Sequence, residues 1–462
     1  MAKQRPPRVA HDITCSIAAL LIAAPCYRHV QLCFCESESP LVASLAGASE
    51  GAISVLLTLL AGYVSARAGL LDHRTVRLVS GLCSRLFLPC LIVVQMGPEL
   101  TARELSAMWI VPAWGLASTL LAHAIGWAGR ALLHTPYWVV VAAGRPNATA
   151  LPLLLVQSLA QTGVLDRLAS DGASAERIQS RAKSLLLLNA VVQQTFTFQL
   201  APAILRRDAN GADDEETWRE ELAAPSSGQH KTKINPIIQD AERVGLLQDH
   251  ARRSYGTEDD GQPRARQALE SVADESDMDL PYSLEVAGRV VKKAFSWMSP
   301  PLIAALIALL FGLITPLHNI AYDQQSAFYS SITQAAKNLG ELFVTLQMFL
   351  VGAELAIVPS AHPGVVSGGF SLLVRFVIMP GFALLFVWAT AGQGWYINDK
   401  LVWFLLVLIP SGPSAMLLAN VAETVGVDQG PIAGYLIISY LLCPLMAAVC
   451  AFGLHVVENA SN

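Results

Sequence analysis

Apolar residues run along this chain in long stretches rather than alternating or following a narrow helical stripe. A bilayer core needs about 20 mostly apolar residues per helix. Ten stretches qualify: about 48–70, 75–97, 107–130, 137–163 and 184–205, then 294–316, 330–357, 364–390, 401–424 and 431–456. The pattern predicts an all-α integral membrane protein, and five plus five helices around a polar middle is the outline of an internally repeated transporter. The expected organisation is an N-terminal tail or signal-like segment (1–46), a first five-helix repeat (47–206), an acidic, mostly disordered loop (207–288), a second repeat (289–457) and a short tail (458–462).

The two halves share a defect. Each fourth stretch is interrupted at its middle, by Gly144-Arg145-Pro146-Asn147-Ala148-Thr149-Ala150-Leu151-Pro152 in the first half and by Pro410-Ser411-Gly412-Pro413-Ser414 in the second. Proline removes a backbone donor and collides with the preceding turn. Freed amides and carbonyls at mid-membrane depth must line a cavity or be buried in protein. Simple kinked spans are the bland alternative, and they suffice for the single prolines Pro89, Pro112, Pro202, Pro380 and Pro444. The coincidence of the two breaks, and their hydroxyl and amide side chains, favours a site.

Composition agrees with a membrane protein: 53% of the 462 residues are hydrophobic and 15% charged, against about 25% charged in soluble domains, and the mean hydropathy is +0.46. The net charge of −5 is uneven. Residues 206–285 hold ten basic and nineteen acidic residues, so the rest of the chain is net +4. No nucleic-acid-binding surface is implied. The acidic segment, with Asp213-Asp214-Glu215-Glu216 and Glu258-Asp259-Asp260, has too little apolar area to order a sizeable core. Arg67, Arg74, Arg77, Arg130 and the basic flanks of the insert place that loop in the cytosol by the positive-inside rule, although Arg167, Arg177, Arg181 and Lys183 oppose this. Near the start, Ile13 to Ala24 suits a signal-peptide core, a tail serving as well. Of eight cysteines, Cys15, Cys26, Cys33 and Cys35 lie near the start, while Cys83, Cys90, Cys443 and Cys450 read as small apolar residues in spans. Neither a metal site nor a cofactor is expected, since Cys33-Phe34-Cys35 is too tight for a zinc pair and no His cluster completes one.

Several runs carry a resemblance: Leu60-Ala61-Gly62-Tyr63 through Gly69-Leu70-Leu71-Asp72, Leu86-Phe87-Leu88-Pro89-Cys90-Leu91, Met298-Ser299-Pro300-Pro301-Leu302, Val351-Gly352-Ala353-Glu354-Leu355, Arg375-Phe376-Val377 and, most specific, Asn147-Ala148-Thr149-Ala150-Leu151-Pro152-Leu153. With the Pro410/Pro413 break they resemble the auxin efflux carrier family, in its fungal PIN-like branch, from about 48 to 456 without the insert. The resemblance implies two inverted five-helix repeats, with helices one, two, six and seven as a scaffold and a transport domain holding crossed, broken fourth and ninth helices. It also implies an elevator-like movement of small organic anions such as indole-3-acetate, a homodimer, and an endoplasmic reticulum or plasma membrane location. Two places depart from the family pattern: Arg145-Pro146 stand where small or amide residues are common, and Ser299-Pro300-Pro301 where auxin-carrying members tend to have asparagine.

The residues point to an anion without the resemblance. Half-helix starts offer amides and a positive dipole end, so Asn147, Thr149 and Pro152 with Pro410, Ser411, Pro413 and Ser414 are the expected binding crossover. Arg145, Lys337, Glu341 and Arg375 are candidates for a gating or charge role. Bland readings stand beside them: a self-contained ion pair for Lys337 and Glu341, snorkelling for Arg145, structural contacts for Arg85 and Arg375, interfacial exposure for Glu354, inert His123 and His134, and interhelical hydrogen bonds for Gln193, Gln194 and Gln199. An enzyme is not expected. The rival readings are a sodium-coupled acid symporter of the bile-acid type, which would need clustered carboxylate and amide ligands, and a carrier-fold receptor or scaffold signalling through the acidic loop.

Overall fold

In the computed structural model, residues 40–168, 174–223 and 298–460 are described. The signal-like start with its four cysteines, and the acidic segment beyond Ala223, lie outside the described residues. Two units are distinguished, residues 1–213 with 298–462, and Asp214–Trp297. Both proline-containing breaks belong to the first unit.

Its described residues fold into helices alone, apart from one isolated bridge between extended residues. Besides the short helices Ala102–Ala107 and Val164–Leu168, in chain order these are α1 (Pro40–Arg67), α2 (His73–Glu99), α3 (Ile110–Leu133), α4 (Tyr137–Gly144), α5 (Ala150–Gln161) and α6 (Ala175–Ala223), whose last turns belong to the second unit. They continue as α7 (Pro300–Leu313), α8 (Thr315–Tyr322), α9 (Tyr329–Ile357), α10 (Val365–Thr390), α11 (Lys400–Leu408), α12 (Leu417–Val425), α13 (Gly430–Leu441) and α14 (Leu445–Ala460). Five are long and apolar enough to cross a membrane: Leu45–Arg67 of α1, then α2, α3, α9 and α10. Counting the bent pairs α7 with α8 (106°) and α13 with α14 (52°) as single spans gives seven. The fourth and ninth expected stretches are split, so no half reaches spanning length, and the expected fifth stretch lies inside α6, which runs on past residue 205 to Ala223.

Close approach and local irregularity both follow from sequence. Helices α1 and α9 cross where a Cβ on Gly62 would lie 1.8 Å from the Phe349 carbonyl oxygen, and one on Gly352 would lie 1.9 Å from that of Leu59, so only glycine fits at either place. Pro89 and Pro380 do not simply kink their helices. Each follows a five-residue π-helical stretch, Cys83–Phe87 in α2 and Val374–Ile378 in α10, because the proline ring displaces the carbonyl four residues earlier and widens the ladder. The second of these stretches carries Arg375. Helices α4 and α11 are apolar all round; Trp138–Gly144 and Leu401–Leu408 are buried on every face. Both breaks therefore lie in the interior of the unit.

Candidate functional site

Helix α4 stops at Gly144 and α5 starts at Ala150, while α11 stops at Leu408 and α12 starts at Leu417. The two interruptions meet as an antiparallel bridge between Pro146 and Ser414. The Asn147 backbone N–H donates to Pro413 O at 2.9 Å, and the Ala415 N–H donates to Arg145 O at 3.1 Å. Each break satisfies backbone groups of the other, which is how extended backbone is tolerated in an apolar interior. Gly412, at φ 95°, makes the turn that sets this register.

Side chains from three other helices fasten the crossing. Ser414 Oγ donates to Ala142 O at 2.7 Å, and its single proton being used there, the Tyr435 hydroxyl of α13 donates to Ser414 Oγ at 2.7 Å. Tyr440, also on α13, accepts from Asn147 Nδ2 at 3.0 Å. From α10, Arg375 Nε donates to Gly412 O at 2.9 Å and Nη1 reaches Ala143 O at 3.5 Å, so one guanidinium spans both breaks. From α3, Trp114 Nε1 donates to Leu406 O at 2.8 Å while its ring stacks on Phe386 at 4.0 Å. The last-turn carbonyls of both first half-helices, which lack intrahelical donors, thus receive them from outside.

Two cationic side chains at the crossing keep unsatisfied donors. Arg145, 4% exposed, donates through Nη1 to the Gln193 carbonyl at 3.2 Å, while its Nε has no partner among the described residues. Arg375, fully buried, keeps Nη2 without one. Among the described residues neither guanidinium pairs with a carboxylate; the ion pairs there are Arg77–Glu423 and Arg181–Asp399. A buried charge without a counter-ion costs on the order of 3–5 kcal/mol relative to a paired one.

The expected site residues divide accordingly. Asn147, Pro152, Pro410, Ser411, Pro413 and Ser414 are buried at or beside the crossing. Ser411 Oγ donates to Val407 O one turn back and Ser414 Oγ to Ala142 O, so neither hydroxyl proton is free. Thr149 is partly exposed and its hydroxyl makes no hydrogen bond among the described residues. Lys337 and Glu341 are exposed on α9 and form no ion pair with each other, so the self-contained pair is not made. Glu354 corrects the interfacial reading: it is 9% exposed, with Oε2 unpartnered among the described residues. The interhelical bonds expected of Gln193 are likewise not made by its amide, whose two polar atoms have no partner among the described residues. Nor is His123 isolated: a Cβ on Gly144 would lie 2.2 Å from its ring. Tyr435 and Tyr440 are not among the expected site residues, although two tyrosines five apart in an apolar stretch are a visible request for polar partners.

The family described as membrane transport protein matches residues 48–451, a range that includes both breaks. The chain belongs to it. This membrane transport protein family is the one the Asn-Ala-Thr-Ala-Leu-Pro run resembles, and its curated relatives include an uncharacterized transporter of Schizosaccharomyces pombe, 22% identical over 85% of this chain and 90% of its own length. Protein PIN-LIKES 6 of Arabidopsis thaliana is 22% identical over 76% of this chain and 78% of its own. An uncharacterized transporter of Saccharomyces cerevisiae is 23% identical over 89% and 96%. Membership in the membrane transport protein family, with several helices long and apolar enough to span, makes the chain a multi-pass integral membrane transporter.

Proposed function

We propose that the protein carries small organic anions, auxin-like carboxylates such as indole-3-acetate, and that the anion binds at the crossover of the two broken helices. The observation that supports this reading is the pair of buried guanidiniums, Arg145 and Arg375, each with an unused donor and no carboxylate partner among the described residues. A carboxylate accepts from two such forks and removes the cost of leaving them bare. Asn147 and Thr149 line the anion's path, while Ser411, Ser414, Pro152, Pro410 and Pro413 hold the two breaks in register. The two halves act as inverted five-helix repeats, a reading favoured by half-helices of eight and nine residues and by end carbonyls capped from α10 on one side and α3 on the other. An elevator-type displacement of the crossover past α1, α2, α7 and α9 gives alternating access.

Efflux of labelled indole-3-acetate from proteoliposomes, with benzoate and malate as competitors and with sodium present or absent, tests this. The expected result is saturable, sodium-independent movement that Asn147→Ala and Arg375→Gln lower without lowering the amount of protein in the membrane. Movement that requires sodium would favour the bile-acid-type symporter. No movement of any of these anions by folded protein would sink the reading.

A further inference from the structure

His123 lies on α3, 4% exposed, with its ring against Gly144 at the end of α4. Its Nδ1 is 2.7 Å from Thr119 O. A carbonyl oxygen only accepts, so Nδ1 carries the proton and the neutral ring presents a bare lone pair at Nε2. That atom is buried and has no donor among the described residues. A buried acceptor without a donor is costly, and the same interior holds two buried donors without acceptors, Arg145 Nε and Arg375 Nη2. Gly144 is followed in the chain by Arg145, which donates to the Gln193 carbonyl of α6, and preceded by Ala143, whose carbonyl Arg375 of α10 reaches. Of the described charged groups, Arg145 and Arg375 are the ones hydrogen-bonded at or beside that end of α4.

We propose that His123 is the proton site of this carrier: a proton binds Nε2 as the anion binds the crossover, and the two leave together. The inference rests on the anion reading above. A proton on Nε2 of the empty protein would add a third positive charge near two guanidiniums. A carboxylate between the guanidiniums reverses the local field, and protonated Nε2 becomes a third donor facing it. Linkage makes the effect mutual, because an anion that favours the imidazolium is itself held more tightly when the imidazolium forms. The proton comes from water on the side to which the site is open and returns to water on the other side.

The sign of the pH dependence is fixed by this linkage. The anion-bound state holds the proton more tightly than the empty state, so affinity is greatest at low pH and weakens as pH rises through the bound-state titration, by about tenfold per unit for one coupled proton. Binding of labelled benzoate to the purified protein, measured between about pH 6 and 8, where the free carboxylate is already ionised, reads this slope. A pH-indicator dye in weak buffer reads proton uptake on benzoate addition to the unaltered protein, with no variant required. The expected results are a falling affinity with rising pH, close to one proton taken up per anion, and, for His123→Asn, a weak affinity that no longer changes with pH. Asparagine keeps a donor for Thr119 O and removes the titrating nitrogen; His123→Gln provides a second variant should the first fold poorly. Saturable binding without proton uptake, or uptake that survives both substitutions, would overturn the proton site and leave the anion reading intact. Absence of saturable benzoate and indole-3-acetate binding by folded protein would overturn both.

Discussion

Single side chains at the crossover fall into those that hold the backbone and those with something left to give. Ser414, Tyr435, Tyr440 and Trp114 hold backbone or fixed partners, whereas Arg375 does both, bridging Gly412 O and Ala143 O while keeping Nη2 unused. This doubles the demand on its shape. Arg375→Lys conserves charge, yet an ammonium is a compact point donor without the planar fork that reaches two carbonyls in different segments. The expected outcome is protein that inserts and folds with a lowered melting temperature, corresponding to roughly 1–3 kcal/mol for the carbonyl left bare, and transport reduced by more than tenfold. Thermal unfolding in detergent and the efflux assay check the two parts separately; full transport in the lysine variant would show that charge alone suffices. The sequence signals here are of unequal strength. Asn147 and Ser414 are recognisable because they sit inside a proline break, but Arg375 sits in an unbroken apolar run, and its contact with both breaks depends on a neighbouring helix bringing it there. Nothing local marks His123 either, since its meaning comes from Gly144, 21 positions away.

Helix ends show the same division between local and remote causes. Asp72 precedes α2 and accepts from the Thr75 backbone N–H at 2.8 Å, an N-cap written within four residues. Those hydrogen bonds from Thr75 hold its carboxyl below the usual carboxylate range. The folded form thus binds the proton less tightly than the unfolded chain, so the cap's contribution is complete above the ordinary carboxylate pKa and is lost as pH falls through the lower folded value. The melting-temperature difference between the native protein and Asp72→Ala should accordingly be present at neutral pH and vanish in acid; a constant difference would count against capping by the charged form. Helix α4 starts differently. Pro136 precedes it and offers no cap, and Asp208 on α6 supplies one from about 70 residues away, accepting from Tyr137 N and Trp138 N at 2.7 Å each. Arg130 lies over the Tyr137 ring at 3.4 Å beside it. Asp208→Ala should cost about 1–2 kcal/mol, the scale of a lost cap, and, because α4 ends at the crossover, should lower transport as well. Unchanged thermal stability in that variant would show that α4 needs no cap. Proline and glycine breaks, hydrophobic stretches and local caps are readable in one dimension; a carboxylate that serves a helix from another element is not.

At the scale of the whole molecule, hydrophobic length announces the membrane and the paired breaks announce where the spans open. The bends of 106° and 52° and the π-helical stretches before Pro89 and Pro380 need the packed structure, because a proline specifies that a helix must deviate but not in which direction. The charge distribution separates two bodies of different chemistry: a nearly neutral unit whose described residues hold the crossover, and the acidic unit Asp214–Trp297, with eleven basic and seventeen acidic residues. The carrier reading places every group it needs in the first. Asp208, the remote cap of α4, lies just before the boundary, so a deletion of residues 210–280 with a short glycine-serine linker leaves the cap, both arginines and both breaks in place. Under the carrier reading, that deletion should retain most of the anion efflux per molecule in proteoliposomes, with an unchanged KM. A receptor or scaffold that signals through the acidic segment would instead lose its activity while its membrane part still folded. Loss of transport with intact folding would therefore move the function out of the crossover and into the segment between α6 and α7.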